Sequence, residues 1–288
     1  MKKYFSLVLF AHSIFALPFA LIGFFLGVIN SPDPFKLQLF LKVLLCMVFA
    51  RNSAMAFNRY LDRNIDAKNP RTQMRDIPAG KVSANEALIF VIINCILFIT
   101  TTAFINNLCL YLSPVALFVV LFYSYTKRFT ALCHLTLGLG LSLAPIGAYI
   151  AVTGVFSVIP VLYSFAVLFW VSGFDIIYAL QDEDFDKNEK LHSIPAALGI
   201  KNALRLSVIL HLFSALCVIL PVFYSTFSYS YYIGVVFFCI MLIYQHMLVK
   251  PNDISKVDRA FATTNGYASV VFAACFLLDV FLRTNFNH

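Results

Sequence analysis

Apolar residues run through this chain in long unbroken blocks, not in the alternation of a half-buried strand or the stripe of a soluble helix. Nine blocks lie near residues 5–29, 37–60, 84–106, 108–126, 131–153, 158–181, 200–221, 229–249 and 261–282. Each is about 17–25 residues long, enough for a helix to cross the hydrocarbon core of a bilayer. Polar residues gather in the links, and no linker or low-complexity tract separates one part from another. The pattern predicts an all-α integral membrane protein of about nine transmembrane helices forming a single domain over residues 1–288. Four blocks up to residue 126, four more from 131 to 249 and a ninth beyond suggest two similar halves around a central cavity. The first block follows Met1-Lys2-Lys3. It is long for the apolar part of a signal peptide and has no small-residue cleavage site before Asn30, so it reads as the first membrane helix.

Composition sharpens this picture. With 61% apolar and 12% charged residues and a mean hydropathy of +0.84, the chain is no ordinary soluble globule, in which charged residues make up about a quarter. Seventeen of the 21 Lys and Arg residues fall on the N-terminal tail and every second link. By the positive-inside rule this predicts a cytoplasmic N-terminus and an external C-terminus. The net charge of +7 is concentrated on that face, which fits topology and anionic lipid better than nucleic acid. The seven cysteines have no metal-ligand spacing. The six histidines, His12, His134, His192, His211, His246 and His288, form no cluster in sequence, and His192 reads as a helix-flanking polar residue near the second charged link.

Two of the links carry chemistry. The first, Asn58 to Gly80, is a dense charged island. Asn58, Asp62 and Asp66 are spaced by four, so a continuing helix would stack them on one face. At a helix C-terminus two carboxylates repel the macrodipole and each other unless a cation intervenes. Mg²⁺ suits such oxygens and completes its shell with water and substrate phosphates. Arg59, Arg63, Lys68, Arg71 and Arg75 follow, as a polyphosphate would require. In the second island Asp175, Tyr178, Asp182 and Asp186 fall at i, i+3, i+7 and i+11, again one helical face. Both islands are followed by Ile-Pro-Ala, at Ile77-Pro78-Ala79-Gly80 and at Ile194-Pro195-Ala196 with Gly199. Both also fall on the face read as cytoplasmic. Two aspartate clusters facing each other would hold two or more Mg²⁺ ions on one diphosphate.

The ordered set Asn58/Asp62/Asp66, Tyr123-Ser124-Tyr125-Thr126-Lys127-Arg128 and Asp182/Asp186 resembles the UbiA superfamily of membrane prenyltransferases, over nearly the whole chain. The resemblance implies Mg²⁺-dependent transfer of a polyprenyl group from polyprenyl diphosphate to an electron-rich aromatic carbon ortho to a phenolic hydroxyl. It implies that Asn58, Asp62, Asp66, Asp182 and Asp186 hold metal, that the four aspartates are catalytic, and that Arg71 and Lys127 contact the diphosphate. Tyr123 or Tyr178 would shield the allylic cation. The stretch from Arg51 to Gly80 looks most like the 4-hydroxybenzoate polyprenyltransferase branch of quinone biosynthesis. Relatives in that branch prenylate a dihydroxynaphthoate such as 1,4-dihydroxy-6-naphthoate for menaquinone. A bacterial inner membrane with the active site facing the cytoplasm follows. A transporter of a metal-bound anion would place its charges nearer the midplane on broken helices, whereas these acids lie at one membrane edge.

Arg51 lies seven residues before Asn58, hence on the same helical face and roughly 10 Å deeper. A guanidinium there costs about 2.5–3.5 kcal/mol to insert. Three uses remain open: an ion pair with Asp175, a hydrated vestibule, or a fork holding the carboxylate of an aromatic acid. On the last use, Arg51 and Asp175 join Asn58, Arg71, Tyr123, Lys127 and Tyr178 as substrate-binding candidates.

Overall fold

The computed structural model describes residues 15–286, with the side chains of 285 and 286 left aside. Lys2, Lys3, His12, His288 and the first half of the expected 5–29 span lie outside the described residues. Within them all regular secondary structure is helical, apart from one isolated bridge between Lys250 and Asp253. The long helices are α1 (Leu17–Asn30), α2 (Leu37–Leu61), α3 (Ala84–Ala103), α4 (Asn107–Thr126), α5 (Cys133–Thr153), α6 (Val158–Ala179), α7 (Ile194–Ile219), α8 (Tyr229–Leu248) and α9 (Asn265–Phe286). Eight of these, α2 to α9, are long and apolar enough to cross a membrane, and α1 shows 14 residues.

Local chemistry sets several helix starts. Ser83 and Glu86 form a capping box at α3, with Ser83 Oγ accepting from the Glu86 N–H (3.2 Å) and Glu86 Oε2 accepting from the Ser83 N–H (2.8 Å). Asn106 caps α4 through the Cys109 N–H (2.8 Å), and Ser193 caps α7 through the Ala196 N–H (3.3 Å).

The charged islands depart from continuous helix. Helix α2 ends at Leu61, Asp62 leaves the helical region (φ −86°, ψ 5°), and Arg63–Asp66 makes one further turn. Helix α6 ends at Ala179, Leu180–Asp182 tightens to a 3₁₀ turn, and Glu183–Asn188 forms a short helix. The reason is electrostatic. The break turns Asp62 and Asp182 into N-cap positions and puts Asp66, Glu183, Asp184 and Asp186 in first turns. Acids are favoured there and disfavoured at the end of a long helix. The four-residue ladder still runs through the first break, from the Asp62 N–H to Asn58 O (2.9 Å) and the Asp66 N–H to Asp62 O (2.7 Å). The echo after each island is structural as well: Gly80 (φ +70°) and Gly199 (φ +74°) both adopt the left-handed conformation that only glycine takes cheaply.

Of the eight membrane-length helices α6 is the most enclosed, packed against α5 and α7. Its Trp170 is fully buried among Phe15, Phe19, Phe174 and Phe238, with ring centroids 5.1–6.4 Å apart. The indole N–H donates to Asn265 Oδ1 (2.8 Å), which joins α6 to the start of α9. Helices α2, α3 and α4 bury few residues and expose Ile89, Ile92, Ile96, Val115 and Phe118, as a lipid-facing surface would. Between α1, α2, α4, α5 and α6 lies a cavity of about 670 Å³. Its wall is almost wholly apolar, and Arg51 and Asp175 are the two charged residues on it.

Candidate active site

The links after α2 and α6 meet at one end of the bundle. Asn69 Nδ2 donates to Asp182 Oδ1 (3.0 Å), and Lys68 Nζ lies 2.6 Å from Glu189 Oε2. Every aspartate of the two motifs has a basic neighbour. Asp62 accepts from Asn58 Nδ2 (3.0 Å) and from Arg128 (2.8 Å). Asp66 takes Arg75 on both oxygens (2.8 and 3.0 Å). Asp182 takes Arg71 in a two-pronged contact, with Nε at 3.1 Å from Oδ1 and Nη2 on Oδ2. Asp186 is fully buried with Lys127 Nζ 2.7 Å from Oδ1. Lys127 is the partner of this carboxylate, and no other described residue donates to either of its oxygens.

Burial and ion pairing pull against each other here. Burial pushes the Asp62 carboxyl above its usual range, against the pull of Arg128. At Arg71 burial works downward, but the hydrogen bonds and charge of Asp182, with Tyr178, raise the guanidinium above its ordinary value. Arg71 also donates to the Tyr178 hydroxyl (2.9 Å) and lies 5.1 Å over its ring. The other face of the second site is set by a π-helical turn, Arg259–Thr264, which stacks Phe261 on Tyr178 with ring centroids 4.1 Å apart.

Mg²⁺ fits this donor set. The acids are hard oxygen ligands, and among the described residues the fully buried Asp186 has no hydrogen-bond donor on Oδ2, while Lys127 pairs with Oδ1. Among the described residues no three acidic, His or Cys side chains converge on one point. The protein oxygens therefore make only part of a shell, and water and phosphate oxygens supply the rest, as is usual for this ion.

Arg51, Tyr123 and Asp175 line the cavity together, and Tyr123 sits among the charges of Asp62, Asp175 and Arg51. The Asp175 carboxylate takes His134 as its partner, with Nδ1 2.6 Å from Oδ2, and not Arg51. The histidines are also less scattered than their sequence positions imply, since His211 Nδ1 lies 2.7 Å from His246 Nε2. His192 is exposed, and its backbone N–H donates to Lys127 O (2.8 Å).

In the sequence Arg75 is only part of a basic run suited to a polyphosphate and Arg128 only part of a motif, and nothing there pairs either with an aspartate. Asn69, His134 and Phe261 carry no role in the sequence, since each reaches the site only through tertiary packing.

Residues 16–275 match the family described as the UbiA prenyltransferase family. A 4-hydroxybenzoate octaprenyltransferase of Nitrosomonas europaea is 31% identical over 272 residues, 91% of this chain and 88% of that protein. The protein of the same name from Tolumonas auensis is 29% identical over 79% of each chain. Among solved structures, a UbiA homolog from Aeropyrum pernix K1 superposes with a TM-score of 0.83 at 32% identity, covering 93% of this chain and 98% of that one. A UbiA homolog from Archaeoglobus fulgidus bound to DMAPP and Mg²⁺ shares the fold at a TM-score of 0.77 and 20% identity, over 97% and 99% of the two chains.

Proposed function

The chain belongs to the UbiA prenyltransferase family, and from that premise we propose that it is an aromatic prenyltransferase that joins a polyprenyl group to the ring of 4-hydroxybenzoate. One observation carries the reading. Two acidic links meet at one end of the bundle, and Tyr123, which lies within reach of the Asp62 charge, also lines an apolar cavity whose wall holds one guanidinium and one carboxylate. A diphosphate belongs at the acidic links, an isoprenoid tail along the apolar wall, and a small aromatic acid beside the two charges.

Mg²⁺ would be held by Asn58, Asp62, Asp66, Asp182 and Asp186, and when bound it neutralises the charge that develops on the departing diphosphate. Arg71 and Lys127 lie against Asp182 and Asp186, so a diphosphate bound there meets positive charge beside each acid. Arg75 and Arg128 hold Asp66 and Asp62 in place. Tyr178, stacked on Phe261, and Tyr123 present ring faces that shield the allylic cation from water. The Arg51 fork takes the carboxylate of the acceptor.

Purified protein in liposomes, given Mg²⁺, a polyprenyl diphosphate and 4-hydroxybenzoate, should release diphosphate and form the ring-prenylated acid. EDTA should abolish turnover. Asp62→Ala and Asp182→Ala should each lower it by at least roughly 10²–10³-fold, the scale of losing one preorganised electrostatic contact. Turnover that survives EDTA, or near-normal rates in both variants, would refute the reading.

A further inference from the structure

Asp175 opens the second island without being one of its metal-holding acids, and it pairs with His134 while lining the cavity. Asp175 stands on α6 seven residues before Asp182, and His134 is at the start of α5. His134 is buried (3% exposed) and Asp175 is half-buried. The Ile194 N–H donates to His134 Nε2 (3.3 Å), so the ring proton sits on Nδ1 and is donated to Asp175 Oδ2, 2.6 Å away. That arrangement fixes both the tautomer and the carboxylate's direction. It occupies one oxygen. No hydrogen bond from another described residue reaches Asp175 Oδ1, and Asp175 shares the cavity wall with Arg51 and Tyr123.

A carboxylate held this way on an apolar wall is a proton acceptor aimed at whatever fills the space. The proposed acceptor carries a carboxylate at one end and a phenolic hydroxyl at the other, and the wall offers one charged partner for each. We propose that Asp175 accepts the phenolic proton of the aromatic acid, and that His134 is the residue that positions it. This rests on the proposed acceptor class. In the reaction the bond between the allylic carbon and the ring carbon ortho to the hydroxyl forms. The allylic C–O bond breaks, its electron pair leaves with the diphosphate, and the phenolic proton passes to Asp175 Oδ1. The ring oxygen is then a carbonyl. The hydrogen on the alkylated carbon leaves to water as a proton, and the oxygen takes its proton back from Asp175. Moving the proton in step with bond formation makes the ring a phenolate-like nucleophile at the moment it is needed. General bases of this kind contribute roughly 10²–10⁴-fold.

The test compares two acceptors at one pH: 4-hydroxybenzoate, whose phenol is un-ionised, and a ring-fluorinated 4-hydroxybenzoate with one free ortho position, whose phenol is already ionised. Asp175→Asn should lower kcat with the first by roughly 10²-fold or more and lower it far less with the second, while KM for the polyprenyl diphosphate stays within about twofold of the unmutated value. His134→Gln, which can still donate to Asp175, should retain most of the activity. His134→Leu should show the same acceptor-dependent loss as Asp175→Asn. If Asp175→Asn does not fold in detergent, the Gln and Leu variants at His134 give the same comparison. Equal losses with both acceptors, or a loss confined to KM for the diphosphate, would make the pair a structural tie and overturn the proposal. If the unmutated protein prenylates neither acid, the proposed function itself fails, and this inference with it.

Discussion

Arg51 carries the sharpest question about the acceptor. It sits within α2, where a guanidinium costs about 2.5–3.5 kcal/mol to insert, so a use for it is demanded. The ion pair with Asp175 that its register allowed is not what forms, because His134 takes that carboxylate. The guanidinium instead lies on the cavity wall with Tyr123. Arg51→Ala should raise KM for the aromatic acid by roughly 10- to 100-fold, the worth of charge-assisted hydrogen bonds of about 1.5–3 kcal/mol, and leave KM for the polyprenyl diphosphate nearly unchanged. Arg51→Lys should recover part of the loss, since an ammonium supplies charge without the planar fork. Steady-state kinetics with each substrate varied in turn decide it. Equal effects on both substrates would return Arg51 to a structural role, as would efficient prenylation of a phenol lacking the carboxylate. The aspartates were legible in the sequence because their spacing repeats the helical period. Arg71, Arg75 and Lys127 were legible as basic residues of the site, but which acid each one meets was not. Arg71 meets Asp182 across 111 residues of chain and Arg128 meets Asp62 across 66, and no local pattern encodes such pairings.

At the level of elements, the apolar blocks placed the long helices well, because a bilayer imposes a length that a sequence displays directly. Where helices stop was less legible. The four-residue spacing argued for continuing α2 through Asp66, but dipole repulsion at the end of a long helix broke it at Leu61. Which face of each helix packs was not legible either, since a uniformly apolar helix has no stripe to read. Small residues decide some of it. At Gly138 on α5, an added Cβ would collide with the Leu168 carbonyl oxygen and Ser172 Oγ of α6, whereas at Gly140 the nearest atom lies 3.8 Å away. Gly138→Ala must therefore separate the two best-packed helices or strain them, at about 1–3 kcal/mol for overpacking. A lowered melting temperature in detergent for Gly138→Ala, beside an unchanged one for Gly140→Ala, is the expected result. Equal melting temperatures would mean that the α5–α6 contact is looser than described.

For the molecule as a whole, the geometry demands that both acidic links lie on one side of the membrane, because Asn69 and Arg71 of the first touch Asp182 beside the second. The distribution of Lys and Arg argues that this side is the cytoplasm, where polyprenyl diphosphate and an aromatic acid would be supplied in water-soluble or interfacial form. The cavity runs from Arg51, Tyr123 and Asp175 into the apolar depth between α2, α4 and α5, past Cys46, Cys109 and Leu112. A long isoprenoid tail can follow this wall into lipid without being fully enclosed by protein. The sidedness is testable without any substrate. In a variant whose seven cysteines have been replaced, single cysteines at the exposed positions Gln73 and Lys187 should react with a membrane-impermeant maleimide only in inside-out vesicles. Cysteines at Asn107, exposed at the start of α4, and at Thr226, exposed in the link before α8, should react only in right-side-out vesicles or intact spheroplasts. Reaction of all four in the opposite sense would invert the protein and move its supply of diphosphate to the outer face. Opposite accessibility of Gln73 and Lys187 would separate the acidic links, and no single diphosphate could then bridge them.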